Sequence, residues 1–162
     1  MELFIVRHAK AAERDAERWP DDTRRPLTKE GAREFEQSAR RVRRWRPEVD
    51  MVLASGWPRA WETAEILRAR ARWPRPVRTK LLETHDPSGV QPLVQLLAEQ
   101  PEEARIALVG HEPVLGLLVG ALTCPGGELR LQMRKGAIAW LRGAPGAMSL
   151  AGLLVPAMVA RD

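Results

Sequence analysis

Three short apolar runs punctuate an otherwise polar chain, and each ends abruptly. LFIV at residues 3–6 runs into Arg7 and His8. DMVLAS at residues 50–55 gives way to Gly56, Trp57 and Pro58. RIALVG at residues 105–110 runs into His111. Short apolar runs bounded by polar or turn residues are the pattern of buried strands, and they predict strands over residues 2–6, 50–55 and 105–110. The intervening segments carry helical signals. Thr28 is a candidate N-cap for a helix reaching about Arg44, with Gly31 in its first turn and Pro47 closing the unit. Pro58 suits the first turn of a helix running to about Arg70, with Trp61, Ala64, Ile66 and Leu67 as its apolar face. Ser88 and Gln91 have capping-box spacing for a helix over about 90–99. Pro113 begins a helix over about 113–122, with Leu115, Leu118, Val119 and Leu122 turned to the core and Gly116 and Gly120 permitting close packing.

The remaining segments complete the picture. Residues 10–26 are polar and broken by prolines, which predicts a loop at the mouth of any site. VRTKLL at residues 77–82 reads as a short strand and residues 83–89 as a loop. LRLQM at residues 129–133 and AIAWLR at residues 137–142 alternate as strands do, with Lys135 and Gly136 in the turn between them. Residues 150–156 are either an edge strand or a packed tail. Strand–helix units followed by late strands predict an α/β fold, a three-layer α/β/α sandwich with a mostly parallel central sheet and an antiparallel edge. Open sheets of this kind place their crevices at the C-terminal ends of the strands. Short loops there would bring Arg7, His8, Arg59 and His111 to one end.

Composition narrows the function classes. A chain of 162 residues with 44% hydrophobic content suits one domain, residues 1–162, with a substantial core. No apolar run approaches the roughly 18 residues of a membrane-spanning helix. The start, MELFIVRH, lacks the basic region and long apolar stretch of a secretory leader, so a cytoplasmic location without membrane partners is expected. Cys124 is the single cysteine, which excludes an intrachain disulfide; it reads as a structural residue where a helix enters a turn. The net charge is +5, carried almost entirely by arginine. The basic stretches at residues 40–46 and 68–75 read as solvated helix ends rather than nucleic-acid contacts.

An imidazole beside a guanidinium suits a phosphate group, since one can attack phosphorus while the other neutralises oxygen charge. Four segments sharpen that reading: RHA at residues 7–9, RPLTKEG at 25–31, SGWPRAWETA at 55–64 and GHEP at 110–113. In this order they resemble the histidine phosphatase superfamily, also called phosphoglycerate mutase-like, and within it the short bacterial SixA-like branch of phosphohistidine phosphatases. The resemblance implies a metal-independent phosphatase that forms a phosphohistidine intermediate on His8. Arg7 and Arg59 are expected to clamp phosphoryl oxygens, because planar guanidinium groups hold an oxyanion without taking up a proton. Arg59 also opens a helix, whose free N–H groups attract anions. The family counterpart of His111 contacts the phosphoryl group, and Ser55 adds a hydroxyl contact or caps a turn.

Other positions stay open at this level. Glu83, in LLET at residues 81–84, resembles the segment that supplies the general acid in larger relatives, with His85 and Asp86 as rivals that also read as loop residues. Arg25 either contacts substrate or pairs with Asp22. Glu112 orients neighbours or caps a helix, and Trp19 and Trp57 either line the entrance or pack an apolar edge. No cofactor is expected, and no metal, because the histidines lack tight ligand spacing and the arginines around them oppose a dication. The expected partner is a phosphorylated substrate, either a histidine phosphotransfer domain or a small phosphoester. A phosphomonoesterase using Glu83 and a non-catalytic phosphoprotein-binding module are the alternatives. Oligomeric state is not encoded in any of these patterns.

Overall fold

The computed structural model describes residues 1–45, 48–126, 129 and 131–156, so Pro47 and Arg130 lie outside the described residues. The strands are β1 (Glu2–Arg7), β2 (Met51–Ala54), β3 (Val77–Arg78), β4 (Arg105–Gly110), β5 (Ile138–Arg142) and β6 (Ser149–Leu154). The main helices are α1 (Lys29–Trp45), α2 (Pro58–Ile66), α3 (Val90–Ala98) and α4 (Val114–Thr123). The strands form one sheet in the order β3-β2-β4-β1-β5-β6. Pairs β2–β3, β2–β4 and β1–β4 are parallel, whereas β1–β5 and β5–β6 are antiparallel. This is the α/β sandwich with an antiparallel edge that the strand–helix pattern predicts.

Side chains of β1 alternate between two buried layers, as strand geometry requires. Leu3 and Ile5 pack among the leucines of α3 and α4. Phe4 and Val6 face Phe35, Ala39 and Val42 of α1 and Ala60 and Ala64 of α2. Thr28 caps α1 by accepting the Gly31 N–H at 2.9 Å. Past Ile66 the second helix continues as a wider π-type turn over Leu67–Ala71 and stops at Arg72, which takes a left-handed conformation. Arg40 and Arg70 pair with Glu36, and Arg68 with Glu65, so these arginines of the basic stretches are tied to acidic neighbours. Among the described residues no helix is long and apolar enough to cross a membrane.

Three sequence expectations need correction. Only Val77 and Arg78 of the 77–82 segment join the sheet. Thr79 then accepts the Leu81 N–H and turns the chain into a 3-10 helix over Lys80–Leu82, which buries Leu82. Ser88 and Gln91 form no capping box: Asp86 caps a 3-10 turn over Pro87–Gly89, and α3 starts from Gly89 without a side-chain cap. Residues 131–133 are not a strand, and β5 pairs instead with β6, the segment read as edge strand or tail. The Leu129 and Leu131 carbonyls lie against Gly120 and Gly116 of α4, so close that a Cβ at either glycine would collide with backbone. The alternating pattern of 129–133 is therefore spent on packing across a helix rather than on a ladder.

Candidate active site

Register builds the site. In the parallel β1–β4 pair Arg7 lies opposite Gly110, so His8 and His111 follow at matching strand ends. In the β2–β4 pair Ala54 lies opposite Val109, so Ser55 emerges beside His111. The imidazoles of His8 and His111 are 5.2 Å apart between ring centres. The Ser55 hydroxyl is 2.9 Å from His111 Nε2 and accepts the Trp57 N–H at 3.2 Å. Both histidines and Ser55 are buried.

His8 Nδ1 lies 2.7 Å from the Ala9 carbonyl oxygen, which can only accept. The proton therefore sits on Nδ1, and Nε2 keeps its lone pair. Burial, reinforced by the charges of Arg59, Arg7 and Lys135, pushes the His8 pKa down to about 3. Burial, reinforced by the electrostatic influence of His8 and Arg59, pushes His111 below the ordinary imidazole range as well. Both rings are neutral at physiological pH. Thr63 locks the turn: its hydroxyl donates to the Arg59 carbonyl at 2.7 Å and accepts the Ala9 N–H at 3.0 Å.

The arginines reach the same place from three elements. Arg7 Nη1 donates to the Met133 carbonyl at 2.6 Å. Arg59, 1% exposed, donates from Nη1 to the Asp22 carbonyl at 2.7 Å and from Nη2 to the Asp22 carboxylate at 3.3 Å. Its guanidinium also lies 4.9 Å from the Trp57 ring centre. Burial, aided by Arg25, lowers the Arg59 pKa to about 10, so it stays charged at neutral pH. Arg25 donates to both Asp22 carboxylate oxygens and to the Ala12 carbonyl. Burial alone would raise the Asp22 carboxyl, but hydrogen bonding and charge from Arg25, then Arg59, outweigh it and hold the group below the ordinary aspartate range. Arg7 Nε, Arg59 Nε and His111 Nδ1 are buried polar atoms without a hydrogen-bond partner among the described residues.

Arg7, His8, Arg25 and Arg59 line a cavity of about 410 Å³, while the fully buried His111 and Ser55 do not line it. Its cations are Arg7, Lys10, Arg14, Arg25, Arg59 and Lys135; its carboxylates are Glu13 and Glu112. His8 and His85 complete the chemistry in the wall. The excess of cations over carboxylates in this lining suits a small dianion. A larger hollow of about 650 Å³ lies at the opposite end of β1, around Met1, Glu2 and Arg105, and contains no histidine.

The structure brings together Arg7, His8, Arg59 and Arg25 at the cavity, with His111 buried against His8, Ser55 buried on His111 and Arg25 braced on Asp22. Glu83 is turned elsewhere. Its carboxylate takes two hydrogen bonds from Arg78 and one from the Gly56 N–H, and it does not line the cavity. The bond from Arg78 holds its pKa below the usual carboxylate range, the reverse of what a proton donor needs. Asp86 is occupied as the cap of the 3-10 turn. Trp57 packs on His111 at 4.3 Å between ring centres, while Trp19 lines a separate hollow with Asp21 and Pro58. Glu112 accepts the Met133 N–H at 3.2 Å, thereby holding the residue whose carbonyl receives Arg7.

Three contributors escape sequence reasoning. The Asp22 link to Arg59 spans 37 positions, and the Thr63 latch onto Ala9 spans 54, so neither has a local signature. Lys135 offered one signal, a lysine in a turn in a chain whose other cations are nearly all arginine.

Comparison with known proteins agrees with the geometry. The sequence model of the histidine phosphatase superfamily (branch 1) matches residues 3–85. An uncharacterised protein of Picosynechococcus is 32% identical over 142 residues, 88% of this chain and 85% of that one. Phosphohistidine phosphatase SixA of Escherichia coli is 32% identical over 128 residues, 78% of this chain and 76% of that one. The solved structure of the protein histidine phosphatase SixA complexed with tungstate superposes with a TM-score of 0.84 at 29% identity, covering 98% of this chain and 99% of that one.

Proposed function

This chain belongs to the histidine phosphatase superfamily, and from that premise we propose that it removes phosphoryl groups from phosphohistidine in a signalling protein by way of a phosphorylated His8. The observation that carries this reading is the tautomer of His8: Nδ1 is committed to the Ala9 carbonyl, which leaves Nε2 unprotonated at the cavity wall. A neutral nitrogen with an available lone pair attacks phosphorus without prior loss of a proton.

In this reading Arg7 and Arg59 bind the non-bridging oxygens, where their buried Nε–H groups gain the acceptors they lack in the protein. His111 supports a further oxygen through Nδ1, its ring held by Ser55. Arg25 keeps Asp22, and through it Arg59, in place. The phosphorus–nitrogen bond of the substrate breaks as the bond to His8 forms; water then attacks phospho-His8 and releases phosphate. Phosphohistidine fits the placement of Glu83, because an imidazole leaving group asks less of a general acid than an alcohol does. That SixA was solved in complex with tungstate, a tetrahedral oxyanion, supports oxyanion binding by a fold of this kind.

The test is phosphate release from a phosphohistidine-bearing phosphotransfer protein in EDTA, with acid-labile label on the enzyme as a second readout. His8→Ala is expected to abolish both, and Glu83→Gln to change release by less than about threefold. Absence of any His8-dependent release or label would overturn the catalytic reading in favour of a phosphate-dependent binding module.

A further inference from the structure

We infer that His85 is the proton carrier of this site, and that it extends the activity to unactivated oxygen phosphomonoesters; the inference rests on the proposed role of His8. His85 lines the same cavity as His8, Arg7 and Arg59. Its ring is held by three contacts. Nδ1 donates to the Glu112 carbonyl at 2.9 Å, the ring centre lies 4.9 Å from that of Trp57, and it lies 5.3 Å from that of His111. The carbonyl accepts only, so Nδ1 carries a proton in every protonation state of the ring. Nε2 is then the nitrogen that gains and loses a proton. Among the described residues it has no hydrogen-bond partner in the protein, and unlike the His8 and His111 rings this one is solvent-exposed.

Three nearby carboxylates are engaged by other contacts. Glu83 is clamped by Arg78 and outside the cavity, and Asp86 caps a turn. Glu112 lines the cavity and burial raises its carboxyl pKa, but backbone hydrogen bonds from Met133 and Gly116 fix it in the role of holding the Arg7 carbonyl partner. His8 and His111 are buried and neutral.

The step balances as follows. His8 Nε2 forms its bond to phosphorus while the phosphorus–oxygen ester bond breaks, and that electron pair goes to the departing oxygen. The oxygen takes the proton of His85 Nε2–H, which leaves the alcohol and a neutral His85. Water next attacks phospho-His8 and gives a proton to His85 Nε2; the phosphorus–nitrogen pair returns to His8, and phosphate departs. Both groups end as they began.

The test compares kcat/KM for glycerol phosphate, whose alkoxide needs a proton to leave, with that for p-nitrophenyl phosphate, whose phenolate does not. His85→Gln keeps an N–H donor for the Glu112 carbonyl but cannot carry a proton. It is expected to lower kcat/KM for glycerol phosphate about 10²- to 10³-fold and that for p-nitrophenyl phosphate less than about threefold. A purely structural role would depress both substrates equally. An equal loss, no loss, or a wild-type enzyme inactive on glycerol phosphate while active on phosphohistidine would overturn the assignment of His85 and leave His8 untouched. A wild-type enzyme that turns over none of the three, with no label on His8, would overturn the phosphatase reading itself.

Discussion

Replacing His8 by Gln should flatten the pH dependence of folding stability. In the unfolded chain the imidazole takes up a proton near its ordinary pKa of 6.5, whereas in the folded protein it resists protonation until about pH 3. Folded-state depression means that stability is complete above pH 6.5 and falls as the pH drops, because the unfolded chain binds the proton first. At pH 5 an imidazole of pKa 6.5 is almost fully protonated in the unfolded chain and unprotonated in the fold. The linkage integral from pH 8 to pH 5 is then about 2 kcal/mol, rising to about 3 kcal/mol by pH 4. That figure depends little on the exact folded value, since at pH 5 any folded pKa well below 5 gives the same loss. His111, also held low by burial, adds loss of the same sign that persists in the variant. The assay is urea unfolding of wild type and His8→Gln at pH 8 and pH 5, in buffers free of phosphate, with equal m-values required. Wild type should lose about 2 kcal/mol more than His8→Gln over that interval. Parallel curves would show that His8 protonates as readily in the fold as out of it, and would refute the neutral-nucleophile argument.

Two further outcomes follow from the surroundings of the site. Asp22→Asn should lower Tm by about 2–6 °C at pH 7: it leaves Arg59 and Arg25 without their carboxylate, but Asp22 is 38% exposed, which limits the loss to about 1–2 kcal/mol. Because the folded Asp22 pKa is depressed, the gap should close as the pH falls below the ordinary aspartate range, and millimolar phosphate should raise the Tm of the variant more than that of wild type; a gap that widens in acid would contradict this. Gly31→Ala should destabilise by about 1–3 kcal/mol in thermal unfolding, although alanine is the better helix former. A Cβ there would strike the Lys10 carbonyl, the group that also receives the Thr28 N–H; a higher Tm for the variant would refute that reading.

The parts of this site that were legible in the sequence are those that a strand carries to its own end. Leu3–Val6 and Ile106–Val109 announce buried strands, and a strand places whatever follows it at a sheet edge. Arg7, His8 and His111 needed no more than that, and Arg59 needed only Pro58 to open its helix. The apolar pattern failed at 129–133, where alternation served packing against α4, and at 79–82, where one threonine hydroxyl turned a β-like run into a 3-10 helix. Periodicity reports which side chains are buried, not which partner buries them. Glu83 illustrates the same limit in the site. Its sequence neighbourhood reads as that of an acid, but Arg78, five positions earlier, claims its carboxylate.

The electrostatics show why the fold uses carbonyls where a carboxylate looks simpler. Burial keeps His8 and His111 neutral, which a nucleophile and an oxygen-binding ring both require, yet the same burial penalises the guanidinium groups beside them. A carboxylate on each arginine would relieve that penalty but would occupy the donors meant for phosphate and cancel the field. Instead each guanidinium takes one backbone carbonyl: Met133 for Arg7, Asp22 for Arg59 and Ala12 for Arg25. A carbonyl orients a guanidinium without neutralising it. The Asp22 carboxylate is shared between Arg59 and Arg25 at the outer side, so the pair keeps net positive charge. Arg7 and Arg59 therefore line the cavity as charged groups, and among the described residues their buried Nε–H groups have no acceptor. In the proposed reading an incoming phosphoryl dianion would supply both the missing acceptors and the missing charge.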